Sequence, residues 1–377
     1  MEESQPKKID QLPYVREVIS LFLQYFHTLD IKPLVHFELE GSYKPSYPTL
    51  NKNHTLDYAA INSKLAKLGI LGQLKSEYWT NQWEYVSDFA GQSPLKEADD
   101  LAHVISILPA LLAKFGAAET LIKPVVWSGD NGKLAFGCQH IFTNENRMIH
   151  IPNAIQINVS SLNVNGENML VEGNFGDCLQ QSFLSTSYSC ALLFLPEEEA
   201  FARLELKTKF GLANELCSPV DISGGHQGSI ALYRQIGKHN QPMGVTPLLY
   251  GTNEEVLVSQ QDWHATARVE HRLGATSVLY DPHLNVIFAL ANLSDALTQF
   301  NNEESYSNIG KETVKLLPTS LYRNKQDAGA IALFANDNWF SNKINQIQQK
   351  CNDAAFSHFP DKVGDIIKSK LLIVIEK

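Results

Sequence analysis

Cysteine is scarce and scattered. Cys138, Cys178, Cys190, Cys217 and Cys351 form no CxxC pair, which argues against a zinc knuckle or a disulfide framework. No run of about 18 apolar residues occurs, so no membrane-spanning helix is expected. The opening MEESQPKKID is polar and lacks the apolar centre of a signal peptide. A reducing, cytoplasmic setting is therefore expected. Positive charge is also short: 31 Lys and Arg stand against 41 Asp and Glu, a net charge of −10. That balance opposes binding to a phosphate backbone, and nucleic acid is not expected as a partner. Gly/Ser linkers, low-complexity tracts and internal repeats are missing too. What remains is ordinary globular composition, 44% hydrophobic and 19% charged over 377 residues. At about 100–200 residues per domain this allows one large domain or two. Without a linker, one mixed α+β catalytic domain is favoured, its helices gathered around an antiparallel sheet.

Apolar spacing predicts a helix near 12–29, closed by Pro33, and a strand over 34–40 that breaks at Gly41-Ser42. Residues 43–55 read as a loop, and 57–68 as a short helix. The aromatic-rich stretch 77–86 reads as one strand. Residues 95–115 read as a helix with a kink at Pro109, ended by Gly116. Residues 121–143 read as strand, loop, strand. Residues 151–178, where Asn and Gly alternate with apolar residues, read as a hairpin-rich insertion. An apolar helix follows Ser182. Strands are expected at 228–234 and 266–273, a long helix at 283–300, and a helical region from 317 to about 370.

The chemistry lies in carboxylates on predicted strands. Glu38 and Glu40 are two apart and project to one face, with Phe37 and Leu39 on the other. Two adjacent carboxylates repel, and on a buried face they need a cation or a proton. Hard ions such as Mg²⁺ or Mn²⁺ suit such oxygen donors. A solvated outer strand face accounts for the same pair equally simply. In Thr266–Arg272 the residues Arg268, Glu270 and Arg272 share a face. Two guanidinium groups around a carboxylate form a fork for phosphate or an acid substrate. A surface Arg–Glu–Arg ladder is the alternative.

The order of these pieces resembles the catalytic domain of the glutamine synthetase superfamily. The resemblance rests on Glu38-Leu39-Glu40, Glu77 with Asn81-Gln82-Trp83-Glu84, and Ala98-Asp99-Asp100-Leu101. It continues through Gly129-Asp130-Asn131-Gly132, Gly137-Cys138-Gln139-His140, Arg268-Val269-Glu270-His271-Arg272, Asp281-Pro282-His283 and Leu317-Pro318-Thr319-Ser320-Leu321. It implies an α+β fold, a curved antiparallel sheet surrounded by helices. Residues 1–30 would form an N-terminal helical extension and 31–377 the catalytic domain.

The resemblance further implies an ATP- and Mg²⁺- (or Mn²⁺-) dependent carboxylate–amine ligase working through an acyl phosphate. Its partners would be a small-molecule acid and an amine, and its product an amide such as a γ-glutamyl amide. Glu40, Glu77 and Glu84 would hold one metal; Glu38, Glu270 and a His would hold another. That His falls on His140 if a bulge turns it inward, the spacing itself placing Gln139 there. Arg268 would face ATP phosphates, and Arg272 the acid or the transferred phosphate. Asn131 and Gly132 lie in the implied substrate loop. The family's phosphate-binding strand is nearest to 225–232, with Ser229 and then Arg234 as cofactor-binding candidates. Lys209 and Glu215 are nearest to the substrate-binding Arg and the catalytic flap Glu. The family's β-grasp domain has no counterpart ahead of Glu38, so an oligomer, if formed, is not expected to be the family's double ring. Two other readings stay open: a non-ligase regulatory or interaction protein on the same fold, and another metal-dependent phosphoryl transfer.

Overall fold

The computed structural model describes residues 12–46, 56–77, 81–88, 91–126, 151–209, 230–234, 249–250, 256–257, 263–302, 315–351 and 353–375. Its centre is an antiparallel seven-stranded sheet. The strands are β1 (Lys32–Pro45), β2 (Gly72–Ser76), β3 (Gln82–Ser87), β4 (Ala117–Leu121), β5 (Ala154–Leu162), β6 (Ile230–Tyr233) and β7 (Arg268–Ala275). The order is β2-β3-β1-β5-β7-β6, and β4 pairs with the far end of β1. The helices are α1 (Val15–His27), α2 (Tyr58–Lys67), α3 (Pro94–Ala113), α4 (Phe175–Thr186), α5 (Glu198–Lys209), α6 (Pro282–Phe300), α7 (Ala330–Asn336), α8 (Trp339–Lys350) and α9 (Val363–Ile375). No helix is long and apolar enough to cross a membrane among the described residues.

The core lies on one face of the sheet. Val35, Phe37 and Leu39 of β1 and Val269 and Leu273 of β7 join the apolar sides of α1, α3, α4 and α6 in one buried cluster. Helix α6 is buried almost all round. Asp281 caps its start, accepting from His283 N and Leu284 N, and Pro282 takes the first turn. Its interior polar group is satisfied: Asn292 Oδ1 accepts from Ser182 Oγ and Thr186 Oγ1, each at 2.8 Å.

Four expectations are corrected. Strand β1 does not break at Gly41-Ser42 but runs to Pro45. Gly41 is opposite Trp83, and a Cβ at 41 would sit 2.2 Å from the indole ring. The glycine makes room for a tryptophan rather than ending a strand. The stretch 77–86 is not one strand: β2 ends at Ser76 and pairs antiparallel with β3, which starts at Gln82 after Asn81 at φ 62°. Asn adopts that left-handed conformation at lower cost than most residues. Residues 151–178 are no insertion, since β5 is a central strand between β1 and β7. Its Ile155, Ile157 and Val159 alternate with Gln156, Asn158 and Ser160, the period of a strand with two different faces. Finally, residues 317–329 form no helix; α7 begins only at Ala330.

Candidate active site

The strand registers assemble a polar stripe on the face turned away from α4 and α6. Glu84 is directly opposite Glu40, Glu38 is opposite Gln156, and Asn158 is opposite Glu270. Directly opposed residues hold their Cβ atoms about 4.5–5.5 Å apart. Residues distant in sequence and drawn from β3, β1, β5 and β7 thus become neighbours.

One end of the stripe is rich in guanidinium. Glu270 is fully buried. Arg268 Nη2 donates to its Oε2 at 3.1 Å, and Arg272 Nε lies 3.2 Å from its Oε1. Arg268 also donates from Nε to Asn158 Oδ1 at 2.7 Å, and its guanidinium lies 4.7 Å from the centre of the Tyr233 ring. Asn158 Nδ2 donates in turn to Glu38 Oε1 at 3.2 Å. Burial opposes the charge on Arg272, but Glu270, with Tyr233, Glu40 and Glu38 behind it, holds the guanidinium above its usual pKa. A buried carboxylate is tolerable here because two cations flank it.

The other end is rich in carboxylate. Glu84 contacts Lys75 Nζ at 2.7 Å, and Glu40 Oε2 accepts from the backbone N–H of Ala154 at 2.8 Å. Burial, and then the charge of Glu38, push the Glu84 carboxyl up to about 8 despite Lys75, with Glu40 adding to the rise. Glu77 follows β2 and pairs through its N–H with Gln82 O at 3.1 Å, which places it in register on the Glu84 side.

Arg203 of α5 is an addition that the sequence did not single out. Its side chain is buried, with Nη1 and Nη2 reaching Leu273 O at 3.5 Å and Arg272 O at 3.4 Å. Burial lowers its pKa to about 10, while the charge of Glu40 works against that fall. By sequence it is an ordinary helix cation, and only the packing of α5 on β7 buries it. Gln156 and Asn158 join the stripe because β5 is a central strand and not an insertion; their alternation with Ile155 and Ile157 is the sequence signal for it. Arg234, by contrast, donates to Gly173 O at 3.0 Å and reaches Asp177 Oδ2 at 3.3 Å, on the side where α4 packs. Lys209 is the last residue of α5. Asn131, Gly132, His140, Glu215 and Ser229 lie outside the described residues.

Beside α5 lies a cavity of about 940 Å³, lined by Phe201, Leu204, Leu273, Leu317, Pro318 and Ser320 among others. Glu198 braces its wall, accepting from Ser320 Oγ at 2.8 Å and Leu321 N at 2.7 Å.

Among the described residues, no three carboxylate, imidazole or thiolate groups already converge closely enough to hold a metal ion. The donor chemistry of the acidic end nevertheless suits a hard divalent cation. Glu38, Glu40 and Glu84 are neighbours across β1 and β3, buried or half-buried, and offer oxygen donors of the kind such an ion takes.

No family model and no curated protein sequence matches this chain. Solved structures do. A "novel glutamine synthase homolog" superposes with a TM-score of 0.55 at 12% identity, covering 95% of this chain and 71% of its own. GmaS without ligand gives 0.54 at 13% identity, covering 96% and 74%. A GmaS/ADP complex gives 0.53 at 14% identity, covering 94% and 72%. The fold is glutamine synthetase-like. In this glutamine synthetase-like chain the likeness takes in nearly the whole length.

Proposed function

We propose that this chain is an ATP-dependent carboxylate–amine ligase that forms an amide through an acyl phosphate. One observation carries the reading: on a glutamine synthetase-like sheet, the Arg268–Glu270–Arg272 triplet is joined through Asn158 to Glu38, beside Glu40 and Glu84. Charge of one sign is thereby laid next to charge of the other, as a reaction between a nucleotide and an acid requires.

The residues divide the work. Arg272 and Arg203 supply fixed guanidinium groups for the anionic acid or the phosphoryl group in flight. Arg268, stacked on Tyr233, offers its remaining donor edge to nucleotide phosphates. Glu270 sets the direction of both flanking arginines. Glu38, Glu40, Glu84 and Glu77 would hold Mg²⁺ or Mn²⁺, which when bound neutralises phosphate charge. The acid's carboxylate oxygen attacks the γ-phosphorus as the bond to the ADP oxygen breaks, giving acyl phosphate and ADP. The amine nitrogen then bonds to the acyl carbon, phosphate leaves, and the nitrogen loses a proton. A GmaS structure of this fold carries ADP, which supports a nucleotide here.

The test is ADP release with Mg²⁺, ATP and a panel of acids and amines, beginning with glutamate and primary amines. Turnover that needs both an acid and an amine supports the ligase. A second reading, a non-catalytic binding protein on the same fold, draws on the engagement of Arg234 with α4 rather than the polar stripe. ATP binding with no turnover across the panel would favour it.

A further inference from the structure

We infer that His283 is a proton-dependent latch: charged, it fastens the connection from β7 to α6 (276–281) to α1 and α3, and neutral, it lets that connection open more often. The latch lies outside the polar stripe and stands apart from the ligase reading.

The first support is a junction of three helices. His283 stands in the first turn of α6, where the helix dipole opposes a positive charge. Acid nevertheless surrounds it. Its Nε2 lies 2.8 Å from Asp99 Oδ1 of α3, and its Nδ1 lies 3.7 Å from Asp281 Oδ1 at the cap of α6. Arg16 of α1 donates from Nη2 to Asp99 Oδ2 at 2.9 Å, and its Nη1 comes within 3.5 Å of the imidazole Nε2. One carboxylate thus serves two cations from two helices. Among the described residues, these are the charged groups set against the ring. Asp99 and Asp281 favour its proton, and Arg16, mostly exposed, opposes it only weakly. Burial also opposes the charge, but the hydrogen bonds to Asp281 and Asp99 outweigh it and hold the ring above its usual pKa.

The second support is the connection itself. At its start Thr276 is fully buried, and its Oγ1 reaches Glu40 O at 2.7 Å and Ala154 O at 3.0 Å. At its far end stands the latch. Between them the chain turns on Ser277, which accepts at Oγ from Leu279 N at 3.0 Å and at its carbonyl from Tyr280 N at 3.2 Å. Val278, at the tip of this turn, is exposed. A short connection with an exposed tip opens locally more readily than the strands it joins.

The two observations combine through linkage. A protonated ring gives Asp99 a charge-assisted hydrogen bond, and a neutral ring gives it a weaker one. The closed connection is therefore favoured below the folded pKa of His283, and that advantage is lost as pH rises through it. Because Thr276 grips the backbone of Glu40, the latch also sets how firmly the end of β7 is tied to β1.

The test is amide hydrogen exchange of the full chain from about pH 6 to about pH 9, with each amide corrected for its intrinsic rate at each pH. The reporters are Leu279, Tyr280, Leu284 and Asn285, and Ile157 and Val159 of β5 are the reference for global unfolding. Protection at the reporters should fall relative to β5 as pH rises, roughly tenfold for each unit by which the ring's pKa is raised. The midpoint should match the titration of the His283 ring followed by NMR. His283→Gln should stay at the wild-type alkaline level throughout, Asp99→Asn should shrink the step, and Arg16→Gln should keep it. Circular dichroism melts check that the variants fold, and the wild-type step stands without them. Reporters that keep pace with β5 at every pH would overturn the latch. So would an unchanged step in folded His283→Gln, or its loss in folded Arg16→Gln.

Discussion

At the scale of single residues, Glu270 is held between two guanidinium groups, Arg268 Nη2 at 3.1 Å and Arg272 Nε at 3.2 Å. The two-residue spacing of Glu38 with Glu40, and of Arg268, Glu270 and Arg272, translated directly into shared faces, because strand alternation is fixed by geometry. The alternation of Gln156 and Asn158 with Ile155 and Ile157 marks a strand face, but the role of a neutral amide there is set by what stands across from it, Glu38 and Glu270. Arg272→Lys tests the fork. It removes a charge-assisted contact of about 1.5–3 kcal/mol, so kcat/KM should fall roughly ten- to hundredfold. Two histidines give opposite pH signatures. His271 is packed among Phe183, Phe194 and Phe288, and burial lowers its pKa to about 3. Its contribution to stability is present above its unfolded value of 6.5 and is lost as pH falls toward 3. Burial would also lower His283, but hydrogen bonds to Asp281 and Asp99 outweigh that and raise it above 6.5. Its contribution is complete below 6.5 and is lost as pH rises through its folded value. Denaturation at several pH values should therefore show His283→Gln costing more near pH 6 than near pH 9. His271→Leu should flatten the acid limb.

At the scale of elements, α1, α2, α3 and α6 were legible because apolar residues recur on one side and caps such as Asp281-Pro282 mark the ends. The full length of strand β1 is not legible in the sequence because glycine followed by serine is also a turn signal. Only the partner strand shows that Gly41 accommodates Trp83. Gly41→Ala should therefore destabilise the chain by about 1–3 kcal/mol, since the added methyl overlaps the indole. A urea midpoint unchanged by the substitution would deny that packing. Strand β5 is hidden for the same reason. Short strands with polar residues on one face look like loops until their neighbours are known.

At the scale of the whole molecule, helix α1 is part of the central core rather than an appendage, with Val18, Ile19, Phe22 and Phe26 fully buried. Phe22→Ala should cost about 3–5 kcal/mol, measured as a shift in the denaturant midpoint. The order of motifs along the chain revealed a fold that superposes on its structural neighbours at 12–14% identity. The central claim is that Glu270 and its arginines form the catalytic centre of a ligase. The most direct measurement is ADP release by wild type and Glu270→Gln, each with ATP, Mg²⁺ and the acid–amine pair that supports turnover. The account predicts acid- and amine-dependent ADP release by wild type, abolished in a folded Glu270→Gln chain. Equal turnover by the two proteins would place the chemistry elsewhere and contradict it.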